Sequence, residues 1–249
     1  MPLITLTTTR SAMAGMNNNT NYTGSRTASS SDFATINTTS TNIKAVEFFR
    51  GAGRGAPQFR FARAFFAYDF SGYGTAAGTM TNLKWNFVGT STSTGNVGTR
   101  LVKTSAFGSG ASFPTNYAAG NWWSSLDLNT TYNPASGANA TWNDGTASQS
   151  WTLSSNATTA AQSDGYLKFA AMNAFWDFGN AQPALDVFQN SYINNSIVVG
   201  VTKANISFDW TPAATGYGNY VNGIDPDFIN KINAVQNDGS IEYVNGVVS

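Results

Sequence analysis

The chain has 249 residues, 41% of them hydrophobic and only 10% charged, with 13 basic and 13 acidic side chains and no net charge. It contains no cysteine and no histidine, which excludes Cys/His zinc sites and every nucleophilic mechanism that needs an imidazole base. Without a basic stripe, binding of nucleic acid through its phosphates is not expected, and no cofactor is expected. The polar surface must come from Asn, Thr, Ser and Gly, uncharged groups that cost little to desolvate against a neighbour.

Residues 1–36 read as a polar arm. Asn17–Thr20 and Ala28–Asp32 are of low complexity and no periodicity is sustained. Such a segment cannot offset its ordering entropy by burial, so it is expected to gain order only against a neighbouring subunit. Met1–Arg10 lacks the basic start and apolar stretch of a secretory signal. No apolar run reaches the roughly 18 residues a membrane helix needs, so no membrane partner is expected.

The middle of the chain reads as strands. Phe66, Tyr68 and Phe70 alternate with Ala67 and Asp69, the pattern of a half-buried strand. After a turn over Gly72–Gly78, Leu83, Trp85 and Phe87 alternate with Lys84 and Asn86. A third strand is expected over Thr99–Thr104. Residues 108–150 are loop-rich and carry Trp122, Trp123 and Trp142. Trp151–Leu153, Tyr166–Phe169 and Ile197–Val201 are further strand candidates, and Ala170–Phe178 a short helix with Met172, Phe175 and Trp176 inward. Strands joined by short Gly/Ser/Thr turns predict an all-β sandwich over residues 37–207.

From about residue 208 the character changes. Val221-Asn222-Gly223-Ile224, Ile232-Asn233-Ala234-Val235 and Val244-Asn245-Gly246-Val247 form a degenerate repeat, too closely spaced for one folded domain each. Asp225-Pro226 reads as a cap and first residue of a short helix, with Phe228, Ile229 and Ile232 on one side. Residues 208–249 are therefore a tail that docks on something else.

Four groups of residues are candidate sites. Asp127, Asp144, Asp164 and Asp177 are the carboxylates available for acid/base work, but no spacing singles out a pair, and turn or cap roles are the competing reading. Tyr117, Trp122, Trp123 and Tyr132 are candidates for a sugar-stacking platform or a subunit interface, against a plain core role. Asn143-Asp144-Gly145, Asp225-Pro226-Asp227 and Asn237-Asp238-Gly239 carry oxygen ligands without EF-hand spacing, so turns are expected and no metal site. Arg50 and Arg54 flank a Gly-rich segment that lacks the Gly-Lys-Ser/Thr ending of a phosphate loop. These two arginines, with Phe228, Ile229 and Ile232, are candidate assembly contacts.

Arg63-Ala-Phe-Phe-Ala-Tyr-Asp-Phe-Ser71 is similar to the strand that marks the DNRLRE-type jelly rolls, a family of carbohydrate-binding-like modules. Met80–Phe87 resembles that family's next strand, Ala140–Asn143 its Thr-Trp-Asn element, and Leu167–Gly179 its late strand-plus-helix, with Trp176 three residues before Gly179. The resemblance covers residues 37–202 and implies a jelly-roll-like β-sandwich. Lys168 and Phe169 stand where the family usually has an Asp. The tail repeats resemble those near the ends of bacteriophage structural proteins. The expectation is a non-enzymatic virion protein, made in the host cytoplasm, that decorates the capsid or forms an accessory tail or fibre part. Its arm and tail would clasp other virion proteins and copies of itself. The alternatives are a carbohydrate-binding or adhesin module, with a surface glycan as partner, and a polysaccharide-degrading enzyme.

Overall fold

The computed structural model describes residues 2–37, 42–51, 58–94, 98–108, 110, 122–133, 142, 145–184, 187–194 and 204–213, and four dipeptides in the tail. From the N-terminus, β1 (Leu3–Thr7) and β2 (Arg10–Asn19) lead through a short helix α1 (Tyr22–Thr27) to β3 (Phe33–Asn37), β4 (Asn42–Gly51) and β5 (Gln58–Asp69). The long β6 (Gly78–Thr94) follows, then β7 (Thr99–Thr104), β8 (Leu126–Thr131) and β9 (Gly145–Thr152). Helix α2 (Ser155–Asp164) precedes β10 (Tyr166–Asn173), a π-helical turn over Ala174–Phe178, β11 (Phe188–Asn194) and β12 (Asn205–Pro212).

The strands form two antiparallel layers packed as an all-β sandwich. In one layer, β2 runs along one edge of β5, while β4 and β10 share the other, opposite Gln58–Arg63 and Ala64–Asp69 respectively. β7 and β8 extend this layer beyond β10, and β3 extends it beyond β2. In the other layer, β9 lines one edge of β6, and β11 and β12 lie end to end along its second edge. β1 adds to β12. β4 pairs with both β5 and β11, so the hydrogen-bond ladder passes from one layer into the other.

Aromatic side chains fill the space between the layers: Phe66, Tyr68 and Phe169 meet Trp85, Phe87 and Trp151. The alternation read over Leu83–Phe87 is present, with Leu83, Trp85 and Phe87 buried and Lys84 exposed. β7 spans the expected residues. β5 differs from its half-buried reading, because Phe61–Tyr68 are buried without a break. Its second face is covered too, by a separate cluster containing Phe59, Phe61, Phe65, Trp122, Trp123 and Trp176.

The expected arm over residues 1–36 is a correction. β1 and β2 belong to the sandwich, Ala12, Ala14, Met16 and Tyr22 are core residues, and Ile4 and Leu6 pack against the interlayer cluster. Small, scattered apolar residues find cover here only by pairing with strands far along the chain, which local composition does not register. The helix expected over Ala170–Phe178 is likewise shorter: β10 runs through Asn173, and only the π-helical turn follows. Met172 and Trp176 are buried as expected and Phe175 is half-buried. Ile197–Val201 lies outside the described residues.

In the tail, β13 (Lys231–Ile232) pairs with β14 (Val235–Gln236), and β15 (Tyr243–Val244) with β16 (Val247–Val248). Ile232 thus lies in a strand, not on the expected helix. Asp225-Pro226, Phe228 and Ile229 fall outside the described residues. Two copies of the sequence repeat coincide with these pairs, Ile232 opposite Val235 and Val244 opposite Val247. Asn245 and Gly246 stand between the latter two, the residue types that tight hairpins favour.

Candidate functional site

Arg63 interrupts the apolar run of β5 on the face that carries Phe61 and Phe65, away from β6. It is 2% exposed, and a guanidinium so placed must find acceptors within the protein. It finds four. Nε and Nη2 donate to Asp177 Oδ2 and Oδ1 at 2.7 and 2.6 Å. Nη1 donates to the Trp123 carbonyl at 2.7 Å, and Nη2 also to the Arg26 carbonyl at 3.0 Å. The guanidinium carbon lies 3.6 Å from the centroid of the Trp123 ring. One side chain therefore ties together β5, α1, the Trp122–Trp123 turn and the π-helical turn.

Asp177 is presented by local geometry. Asn173, the last residue of β10, caps the π-helical turn by accepting from the Phe175 and Trp176 amides at 2.9 and 2.7 Å. Its own amide donates to Gln189 Oε1 at 2.6 Å, fixing its orientation. Asp177 is 1% exposed. Its charge is paired with that of Arg63, and the pair fastens the π-helical turn to β5.

The candidate stacking residues are packed inside. Trp122 and Trp123 are 0% and 1% exposed. The Trp122 ring sits 5.8 Å from Phe65 and 5.4 Å from Phe107, and Trp123 stands edge-on to Phe61 at 6.4 Å. The Trp123 indole N–H donates to the Ser25 carbonyl at 3.0 Å. The two tryptophans lie in a turn and share one cluster, unlike successive strand residues, which point to opposite faces. Tyr132 belongs to the interlayer core. Burial, reinforced by Asp164, Tyr166 and Asp127, pushes its phenol well above the usual tyrosine range. Tyr117, Asp144 and Arg54 lie outside the described residues, and Arg50 occupies β4 opposite Phe59.

A groove of about 390 Å³ opens beside β7 and β8, lined in part by Lys103, Ser105, Ser124, Asp127, Tyr166 and Lys168. Its size suits a small polar ligand, but its charged groups are already engaged. Lys168 Nζ donates to the Gly108 and Gly110 carbonyls at 2.9 and 2.7 Å and sits 4.7 Å from the Tyr166 ring centroid. It clamps a turn in which Phe107, Gly108 and Gly110 all have positive φ and covers one face of Tyr166. Burial lowers the pKa of its ammonium. Lys103 Nζ lies 3.7 Å from Asp164. Asp127 accepts from the Asn129 amide at 3.1 Å and the Thr130 hydroxyl at 2.8 Å, a turn role. Among the described residues no group of three or more carboxylates is gathered to hold a metal ion.

Sequence reasoning named Asp177 but missed its partner. The signal was present: Arg63 is the one charge within the apolar run Phe61–Tyr68, and Asp177 a lone charge within Phe175-Trp-Asp-Phe178. Two such charges in one chain with few others are candidates for each other. No family model matches the sequence, and no curated protein matches it.

Proposed function

We propose that this chain is a non-enzymatic structural component of a bacteriophage virion, a capsid-decoration or accessory tail or fibre protein held among other virion proteins and copies of itself. The observation that carries this reading is the burial of Trp122 and Trp123. The rings that would serve as a sugar platform are enclosed by Phe61, Phe65, Phe107 and Arg63 and have no face left to offer. The engagement of Asp69, which accepts from the Ser71 amide at 2.9 Å, adds to it. Asp127, Asp164 and Asp177 serve a turn or ion pairs, and Asp209 accepts from the Asn82 side-chain amide at 2.5 Å. A surface of uncharged hydroxyls and amides suits close contact with neighbours. With β1 and β2 inside the sandwich, the clasping role expected of both ends passes to the tail beyond Pro212.

The test is location. Peptides of this chain are expected in nuclease-resistant particles banded on a density gradient from infected cultures. Finding the chain only in the soluble fraction, absent from the particles, overturns the reading. Binding of the purified chain to a glycan array, with no association into particles, favours the adhesin alternative.

A further inference from the structure

We propose that β1 is a docking edge for a second copy of this chain, the two β1 strands pairing antiparallel about a two-fold axis at Thr5. The inference deepens the assembly reading above and rests on it. β1 lies at the end of the strand order, pairs with β12 on one side, and among the described residues no strand pairs with its other edge. The bonds to β12 fix which backbone groups are left over. The Pro2 carbonyl accepts from the Trp210 amide at 3.1 Å, and the Thr8 amide donates to the Ala204 carbonyl at 3.3 Å. In antiparallel pairing bonded positions alternate, so Ile4 and Leu6 also bond inward. The N–H and C=O groups of Leu3, Thr5 and Thr7 point outward.

A natural sheet edge is usually blunted by a charge, a proline or a bulge. β1 has none within Leu3–Thr7, and its register with β12 is unbroken. The opposite end of the strand order differs: β8 carries the exposed Asp127, and its register with β7 shifts at Val102/Lys103. Leu3, 69% exposed, lies on the unblunted edge.

The occupant follows from symmetry. Exposure along β1 alternates evenly about Thr5, with Leu3, Thr5 and Thr7 exposed and Ile4 and Leu6 half-buried against the interlayer core. Centring a two-fold axis on Thr5 sets Leu3 against the partner's Thr7 and Thr5 against its equivalent. Every outward backbone group then meets another outward group. Ile4 comes opposite the partner's Leu6 on the core side, so both the ladder and the apolar interior continue across the junction. No charge within the strand repels its copy, and isologous two-fold contacts are the commonest way copies associate.

The absence of cysteine from the chain makes the test clean. In a bonded antiparallel pair the Cα atoms lie about 5.5 Å apart, within disulfide reach. Thr5→Cys is expected to give a covalent dimer under mild oxidation of the full chain, and Asn129→Cys on β8 is not. Thr5→Pro removes only an outward N–H, so it is expected to keep the fold while halving the mass seen by light scattering. Equal cross-linking at both cysteines, or an unchanged mass for Thr5→Pro, overturns the inference. If association survives Thr5→Pro and disappears on removing residues 214–249, the assembly reading stands and the β1 edge fails. If the parent chain is monomeric at every concentration and absent from particles, both fail.

Discussion

The two faces of β5 are held by different physics. On one face Ala64, Phe66 and Tyr68 meet the β6 layer, where aromatic rings contact one another: Phe66 and Trp85 at 5.0 Å, Trp85 and Phe169 at 5.0 Å, Phe87 and Trp151 at 4.9 Å. The contacts are largely edge-to-face, the arrangement ring quadrupoles prefer. A polar link, the Trp85 indole N–H donating to the Tyr68 hydroxyl at 2.8 Å, runs through them. On the other face the cover is a six-residue helix, a turn and a π-helical turn. Such pieces have no strand ladder to satisfy their carbonyls and little area to bury. There the fork of Arg63 supplies the bonds, reaching Asp177 and two backbone carbonyls at once. A sheet can be fastened by area alone; a patchwork of short segments needs directional bonds.

The comparison breaks most directly at Asp177. Asp177→Ala leaves the Arg63 charge buried without its partner and is expected to cost about 3–5 kcal/mol in urea unfolding. Arg63→Met combined with Asp177→Leu is expected to recover part of that loss. Recovery stays incomplete because the Trp123 and Arg26 carbonyls lose their donor. Full recovery would mean that the carbonyl bonds contribute nothing. On the opposite face, Leu167→Ala removes a fully buried side chain and is expected to cost about 2–5 kcal/mol through lost burial and a cavity. No polar substitution should restore it.

High pH separates the faces less sharply. Burial pushes Tyr22, beneath the Arg63 side, from 10.0 up to about 12, and raises Tyr68 in the interlayer core well above the usual range. A raised folded pKa favours the neutral phenol. The stability it contributes is present in full below pH 10 and is lost as pH rises from 10 through about 12. Stability should therefore fall across that window, with tyrosinate absorbance rising as the chain unfolds. Titration of all tyrosines near their ordinary value while the chain stays folded would contradict the burial. The smallest effect is expected at Asn21, whose side chain caps α1 by accepting from the Gly24 amide at 2.9 Å. Asn21→Ala should cost about 1 kcal/mol, read as a small drop in melting temperature.

How far this was legible follows the range of the interactions. Leu83–Phe87 and Thr99–Thr104 declare themselves because each strand's alternation is written within a few residues. β2 does not, since Ala12, Ala14 and Met16 acquire cover only by pairing with Phe65, Arg63 and Phe61. Helix α2 was invisible for another reason: its buried face is Ala157, Ala160 and Ala161, too small to mark a stripe among Ser, Asn and Thr. Gly165 at its end, with φ of 71°, is the left-handed cap that stops it. The candidate stacking residues fared like β2. That Trp122 and Trp123 are aromatic is local information; that both are enclosed depends on Phe61, Phe65 and Phe107 arriving from elsewhere.

The pairing of β1 with β12 also sets a clock. Leu3 lies opposite Asp209 and Thr7 opposite Asn205, so β1 waits until β12 has been made. At ribosomal speeds of about 5–20 residues per second that delay is roughly 10–40 s. Throughout it Leu3–Thr7 is an uncharged, β-prone segment with both edges open. Until β12 arrives, the backbone groups of that segment are a template on which another chain can pair.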